Sequence, residues 1–414
     1  MAAAIDKVVS WDGQYTTDWD GILAKRTEHM TSSIIRETLK LMATPGLISL
    51  AGAMPAPELL PIRACYEAAC YVLDHDGTQA LQYSVTEGYP PLKKYLVGKM
   101  KKYGVPAEEE NVLIVNGSQQ ALDLIGKVFL DPGDTVLTDG PTYLGAIQAW
   151  KAYEARFETV PLDDDGTRVD LIEDILKRQR VKFIYCLPNF HNPAGVTLSL
   201  ERRRKLVDLA ARYGVFIVED DPYGELRFEG EDITPVVVMH KENTVYLSTF
   251  SKTLSPGIRL GWIVAPAQVI GRLVQAKQGA DLHTSIFVQM LANDICQRGF
   301  LRQHVKDIRD TYKERCEVML SAIEQYFPAG VRWTRPKGGL FLWVMLPEGA
   351  DSMELLQLAL QEKVAFIPGS AFYPDGNNGR SALRLTFSTA SPEMIEEGIS
   401  RLGRAIERHL AGIQ

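Results

Sequence analysis

The chain has 414 residues, 46% hydrophobic and 23% charged, and a formal net charge of −7; this is an ordinary globular composition, long enough for about two or three domains. No basic block marks a nucleic-acid surface, and the longest strongly apolar run, 340–346, is far too short to cross a bilayer. Five cysteines, odd in number and without metal-ligand spacing, read as buried reduced thiols, and the opening Met1-Ala-Ala-Ala-Ile-Asp-Lys7 lacks the apolar core of a signal peptide, so a cytoplasmic protein with no membrane or nucleic-acid partner is expected.

The first forty or so residues read as a polar arm leading into a helix over 32–42. A short strand, Ile48-Ser-Leu, then enters the Gly/Pro-rich loop Ala-Gly52-Ala-Met-Pro, whose backbone N–H groups could face a ligand. A helix over 63–74 and an amphipathic helix over 91–103 flank Leu81-Gln-Tyr83-Ser. From 112 onward, short and almost continuous apolar strands (112–115, 135–138, 157–162, 183–187, 215–218) alternate with helices (118–130, 143–153, 171–178, 200–212). That alternation predicts an α/β architecture with a mainly parallel sheet covered on both faces. A long helix over 299–325 then leads to a smaller α+β unit with strands near 331–333, 339–346, 364–367 and 382–387 and a closing helix from Pro392.

In such sheets ligands bind at the carboxyl ends of the strands, and the chemically interesting residues fall there. Asn116-Gly117-Ser118-Gln119 joins a strand to a helix start, a seat for an anion in which Ser118 would double as N-cap. Tyr143 follows the next strand and could stack on a flat ring, although a buried tyrosine is often plain core. Asn192-Pro193 lies in a turn-dense loop, with an amide that could donate to a ring oxygen or to a carboxylate. Asp220 ends an apolar strand, where it would be a solvated terminus or the partner of a pyridine nitrogen, and Tyr223 comes three residues later. Val245-Tyr-Leu-Ser-Thr249-Phe-Ser251-Lys252 runs through Pro256-Gly257 to Arg259 and a second apolar strand. A lysine in that position is either a surface residue of a solvated hairpin or an amine whose pKa burial lowers until it can add to a carbonyl. With hydroxyls and an arginine fork beside it, the second reading points to pyridoxal 5′-phosphate, an aldehyde and a phosphate on one ring. Arg384, alone in the apolar strand Ala382-Leu-Arg-Leu-Thr-Phe387, could clamp a carboxylate or pack its stem at an edge. The seven histidines show no metal or triad spacing and read as structural or surface residues.

In order, these motifs resemble the fold-type I pyridoxal phosphate-dependent aminotransferases of class I/II over about residues 32–410, nearest the branch of 2-aminoadipate, kynurenine and aromatic aminotransferases. The resemblance implies a large domain with a seven-stranded, mainly parallel sheet over 61–300, a connecting helix and small C-terminal domain over 301–414, and an arm over 1–60 belonging partly to the small domain. It implies that Lys252 holds the cofactor as a Schiff base and shuttles the substrate proton, that Asp220 pairs with the pyridine nitrogen, and that Asn192 and Tyr223 meet the ring oxygen. Tyr143 would stack on the ring, while Ser118, Gln119, Thr249, Ser251 and Arg259 would hold the phosphate. Tyr83 would reach the phosphate of a neighbouring subunit, making a homodimer with shared sites. Arg384 would bind the substrate carboxylate, helped by Asn192 and the Gly52 backbone. The implied activity is transfer of an amino group from an aromatic, branched or 2-aminoadipate-like L-amino acid to a 2-oxo acid such as 2-oxoglutarate, by a ping-pong mechanism. A lyase on the same scaffold is the alternative, and a ligand-sensing module is disfavoured because only a short arm precedes Ser32. Some positions depart from the pattern: His191 and Ala194 stand where glutamine and threonine are common, Thr249 where serine is, and Ala53 where a second glycine often lies. His29 lies about where relatives that take acidic side chains can carry an arginine, a role left to Arg26.

Overall fold

The computed structural model describes residues 19–30 and 45–413; the helix expected over 32–42 lies outside them. Its strands are β1 (Ile48–Ser49), β2 (Val112–Val115), β3 (Thr135–Gly140), β4 (Arg156–Asp163), β5 (Gly166–Thr167), β6 (Phe183–Cys186), β7 (Phe216–Asp220), β8 (Thr244–Thr249) and β9 (Gly261–Val264), followed by β10 (Arg332–Trp333), β11 (Phe341–Met345), β12 (Val364–Ala365), β13 (Ile367–Pro368) and β14 (Ala382–Thr386).

The large sheet has the order β2-β9-β8-β7-β6-β3-β4-β5. Neighbours from β8 to β4 are parallel, β9 is antiparallel to both β2 and β8, and the two-residue β5 hairpins back onto β4 as an eighth strand beyond the seven expected. Every residue of β2, β6, β8 and β9 is buried, which is why β2 and β6 read as unbroken apolar runs rather than alternating ones. The helices Ser118–Phe129, Leu144–Lys151 and Ala267–Asp281 cover one face, with Trp150, Phe183, Leu247 and Leu273 in the shared core. Local signals delimit the elements: Ser199 accepts from the Arg202 N–H at the start of the helix Leu200–Tyr213, and Gly214 ends it at φ 64° in a left-handed cap.

The helix Phe300–Tyr326 packs against the closing helix Pro392–Ala411, and both lie on the antiparallel sheet β10-β11-β14-β13. The apolar run at 364–367 proves to be two strands in different sheets: β12 pairs with β1, so the 48–50 segment joins this smaller unit, while β13 pairs with β14. Both units share one core in which Phe190 and Tyr223 from the large-sheet loops meet Phe341 and Leu385. The candidate site lies over that junction. None of the described helices is long and apolar enough to cross a membrane, and the five cysteines are free thiols.

Candidate active site

The carboxyl ends of β2, β3, β6, β7 and β8 converge on a cavity of about 160 Å³. Ser118, Gln119, Tyr143, Asn192, Asp220, Tyr223, Thr249, Ser251, Lys252 and Arg259, all singled out from the sequence, line it together with Ala53.

Lys252 follows β8, and its Nζ donates to the Ala53 carbonyl at 2.7 Å. Burial, reinforced by the Arg384 and Arg259 guanidinium groups, lowers its pKa from the ordinary 10.5 to about 8. At neutral pH a neutral amine is therefore within easy reach.

Asp220, the last residue of β7, is buried, and burial raises its carboxyl to about 7 against an opposing hydrogen bond from Tyr185. The Tyr185 hydroxyl donates to Oδ2 at 2.9 Å, whereas Oδ1 is buried with no partner among the described residues. An unpaired buried carboxylate oxygen is costly and needs a donor.

Ser118 does not cap the helix as expected. Gly117 is the N-cap, at φ 74°, ψ 165°, and Ser118 is the first helical residue with no capping bond. That combination of positive φ and extended ψ calls for glycine, and a Cβ there would in addition press to 2.6 Å on Arg259 Nη2. Arg259 itself has φ 51° and turns its guanidinium back to the Asn116 carbonyl at 3.3 Å. Thr249 Oγ1 and Ser251 Oγ lie 2.9 Å apart. The helix start, two hydroxyls and a guanidinium make an anion seat. Gln119 lines the cavity, but its amide donates to the Gly145 carbonyl and accepts from the Tyr143 hydroxyl, so its side chain braces Tyr143 and its backbone N–H is left for an anion.

Arg384 stands behind Asn192 rather than lining the cavity. Nη1 donates to Asn192 Oδ1 at 2.9 Å and Nη2 to the Ala51 carbonyl at 2.7 Å, while Nε is buried with no partner among the described residues. The guanidinium is stacked 4.5 Å from the Phe341 centroid and 4.9 Å from that of Phe372, and burial lowers its pKa to about 10, still charged at neutral pH. With Oδ1 so engaged, Asn192 turns Nδ2 to the Tyr223 hydroxyl at 3.2 Å. Gly52 is buried beside Ala51 but does not line the cavity, and Tyr83 is 78% exposed and lies away from it, edge-on to His283. His29 and Arg26 are exposed on a short turn and do not line the cavity either. His191 is buried, not on the surface, with Nε2 3.3 Å from Asp139 Oδ2.

Three supporting groups escaped sequence reading. Tyr185 is the first. Arg203, fully buried, donates to the carbonyls of Pro188, Leu198, Ile233 and Thr234 and to Asn189, bracing the loop that carries Asn192. Lys277, fully buried, pairs with the half-buried Asp281, and Gln120 and Asn116 join them beneath the anion seat. Polar residues inside apolar periodic segments were the available signal, but Asp220 lies 35 positions from Tyr185 and Asn116 lies 165 from Asp281, separations that strand order and packing close.

A low-pKa lysine, a carboxylate oxygen awaiting a donor and an anion seat around one cavity fit a group with an aldehyde, a protonatable ring nitrogen and a phosphate, which defines a pyridoxal phosphate-binding transferase fold. Residues 51–402 match the family aminotransferase class I and II, and the chain belongs to it as a pyridoxal phosphate-dependent aminotransferase. It is 44% identical over 402 residues to aromatic-amino-acid aminotransferase 1 of Thermococcus litoralis, covering 95% of this chain and 96% of that one. The crystal structure of a multiple substrate aminotransferase from Thermococcus profundus superposes with a TM-score of 0.92 at 43% identity, covering 96% of this chain and 100% of the other. That of α-aminoadipate aminotransferase from Thermus thermophilus, complexed with N-(5′-phosphopyridoxyl)-L-leucine, gives 0.90 at 42% identity, covering 96% and 100%.

Proposed function

We propose that this aminotransferase moves the amino group of an aromatic, branched or 2-aminoadipate-like L-amino acid to a 2-oxo acid, with 2-oxoglutarate as acceptor, by a ping-pong mechanism in the cytoplasm. The observation that carries the reading is that Lys252 and Asp220, whose Oδ1 has no partner among the described residues, line one cavity that also holds an anion seat. The donor range rests on relatives whose names specify aromatic amino acids and α-aminoadipate, one of them holding a phosphopyridoxyl-leucine.

When bound, the cofactor supplies an electron sink for the carbanion left at the substrate Cα. Asp220 Oδ1 would accept from the ring N–H and keep that nitrogen protonated. Asn192 Nδ2 and the Tyr223 hydroxyl would meet the ring oxygen, and Tyr143, braced by Gln119, would stack on the ring. Ser118, the Gln119 N–H, Thr249, Ser251 and Arg259 would hold the phosphate. Arg384 and Asn192 fix the α-carboxylate, with the Gly52 backbone beside them, which orients the Cα–H bond for removal rather than the carboxyl group. Lys252 Nζ takes that proton from Cα and holds it for return. Because both half-reactions use one site, the first product must leave before the second substrate enters.

A homodimer with Tyr83 reaching into the partner's site is part of the reading. It is supported by the exposure of Tyr83 and of Ile62, Tyr66 and Leu73, which share one face of the helix Ile62–Ala80.

The test is a stoichiometric cycle. Purified holoenzyme mixed with an amino donor alone should lose its cofactor absorption band and release one equivalent of 2-oxo acid, and 2-oxoglutarate should restore the band. Continuous product release without a 2-oxo acid, or release of ammonia, would contradict the reading.

A further inference from the structure

We propose that Tyr185 is a positioning residue of this site, its hydroxyl holding the Asp220 carboxylate charged and turned so that the other oxygen faces the ring nitrogen of the cofactor. The inference rests on the reading of Asp220 above and deepens it.

Tyr185 lies on β6 in register with Val218 of β7, two residues before Asp220. Both side chains are buried, Tyr185 at 1% and Asp220 at 1% exposure, and the Oη–Oδ2 separation is 2.9 Å. The phenol is held in place: the Trp150 ring meets it edge-on at 5.0 Å and 86°, and Trp150 Nε1 donates to the Leu122 carbonyl at 2.9 Å. Leu122 belongs to the helix whose first residue, Ser118, opens the anion seat. The donor to Asp220 and the seat for the phosphate are thereby tied to one helix, so the two ends of the cofactor are registered against each other.

A dry carboxylate that keeps one oxygen vacant for a ligand needs a donor on the other, or it takes up a proton itself. Burial and the adjacent Asp220 push Tyr185 well above its ordinary pKa of 10, so at working pH it stays a neutral donor. Tyr143, Tyr223, Cys186 and Asp221 are the other titratable groups close to Asp220, and Asp221 works against its charge. Among the described residues Tyr185 supplies the one direct hydrogen bond to this carboxylate. Without it, the proton shared between Asp220 and the ring nitrogen moves towards Asp220, and the ring withdraws electrons less well from Cα.

Tyr185→Phe keeps the ring packed on Trp150 and removes only the donor; Trp150→Phe disturbs the packing and keeps the donor. With cofactor labelled by 15N at the ring nitrogen, the Tyr185→Phe holoenzyme should shift its resonance towards the unprotonated position at neutral pH. Its kcat should fall about tenfold or more, the cost of one hydrogen bond to a charged group, with KM for the amino donor within about threefold. Trp150→Phe should lower the melting temperature and move the resonance much less than Tyr185→Phe does. An unshifted resonance in Tyr185→Phe, or an equal shift in both variants, overturns the inference. If Tyr185→Phe does not fold, 3-fluorotyrosine at 185, a stronger donor, must move the resonance the other way, and no movement refutes the role. Asp220→Asn separates the two layers. If it too leaves the ring nitrogen protonated, the reading of Asp220 has failed; if it alone abolishes protonation, only the role of Tyr185 has.

Discussion

Replacing Arg384 by lysine keeps a cation in place and removes the planar fork, which separates charge from geometry at the proposed carboxylate clamp. Two of the guanidinium nitrogens are already committed, Nη1 to Asn192 and Nη2 to the Ala51 carbonyl, and Nε is buried without a partner among the described residues. An ammonium carries three donors on one nitrogen but no planar fork, so it cannot keep the Asn192 and Ala51 bonds in place and also present a paired face to a substrate carboxylate. One hydrogen bond involving a charged group contributes about 1.5–3 kcal/mol, so losing one from the substrate complex should lower kcat/KM about 10- to 150-fold. Asn192, released from Nη1, would also lose the orientation that aims Nδ2 at Tyr223, which places the true value towards the upper end. The assay is single-turnover loss of the cofactor band over a range of amino donor, run in parallel with a primary amine that lacks an α-carboxylate. The carboxylate-bearing donor should suffer the full loss and the simple amine almost none, with cofactor affinity unchanged. A loss below threefold, or one equal for both donors, would refute the clamp.

The remaining predictions concern the cofactor end. Asp220 titrates near 7 in the apoprotein, above the ordinary 3.8, so between those values the folded state holds a proton that the unfolded chain lacks. Its contribution to stability is present below about pH 4 and lost as pH rises to about 7; apo Asp220→Asn should therefore gain on the wild type from pH 5 to pH 8, by at most about 3 kcal/mol. Glu219, also raised to about 7 by burial, has the same slope in both proteins and cancels, so parallel melting curves would contradict the prediction. Gly117→Ala forces a Cβ to 2.6 Å from Arg259 Nη2 at a backbone angle only glycine favours. It should cost about 1–3 kcal/mol of stability and weaken cofactor binding to the apoprotein about tenfold or more, read by fluorescence titration; unchanged affinity would remove Arg259 from the seat.

Much of the site was legible because strand ends are where such sheets place chemistry, and the chain marks those ends with Gly117-Ser118, Asn192-Pro193, Asp220 and Lys252 at or shortly after largely apolar strands. What escaped depends on lateral neighbours. Tyr185 reads as one more strand residue until β6 is known to lie beside β7, and Arg203 and Lys277 read as ordinary helix cations until burial shows that they bind carbonyls and carboxylates. The split of 364–367 between two sheets was hidden for the same reason: a four-residue apolar run says nothing about which strand each pair will join. Ser118 was misplaced as a cap by its hydroxyl, where a positive φ and the crowding guanidinium require glycine.

The central claim is that the Lys252 amine condenses with the cofactor aldehyde. Borohydride reduction of the holoenzyme followed by peptide mass spectrometry tests it directly. The account predicts one phosphopyridoxyl group per chain, on Lys252, and neither label nor turnover in Lys252→Ala; label on another lysine, or a Lys252→Ala enzyme that still cycles between amino donor and 2-oxo acid, would contradict it.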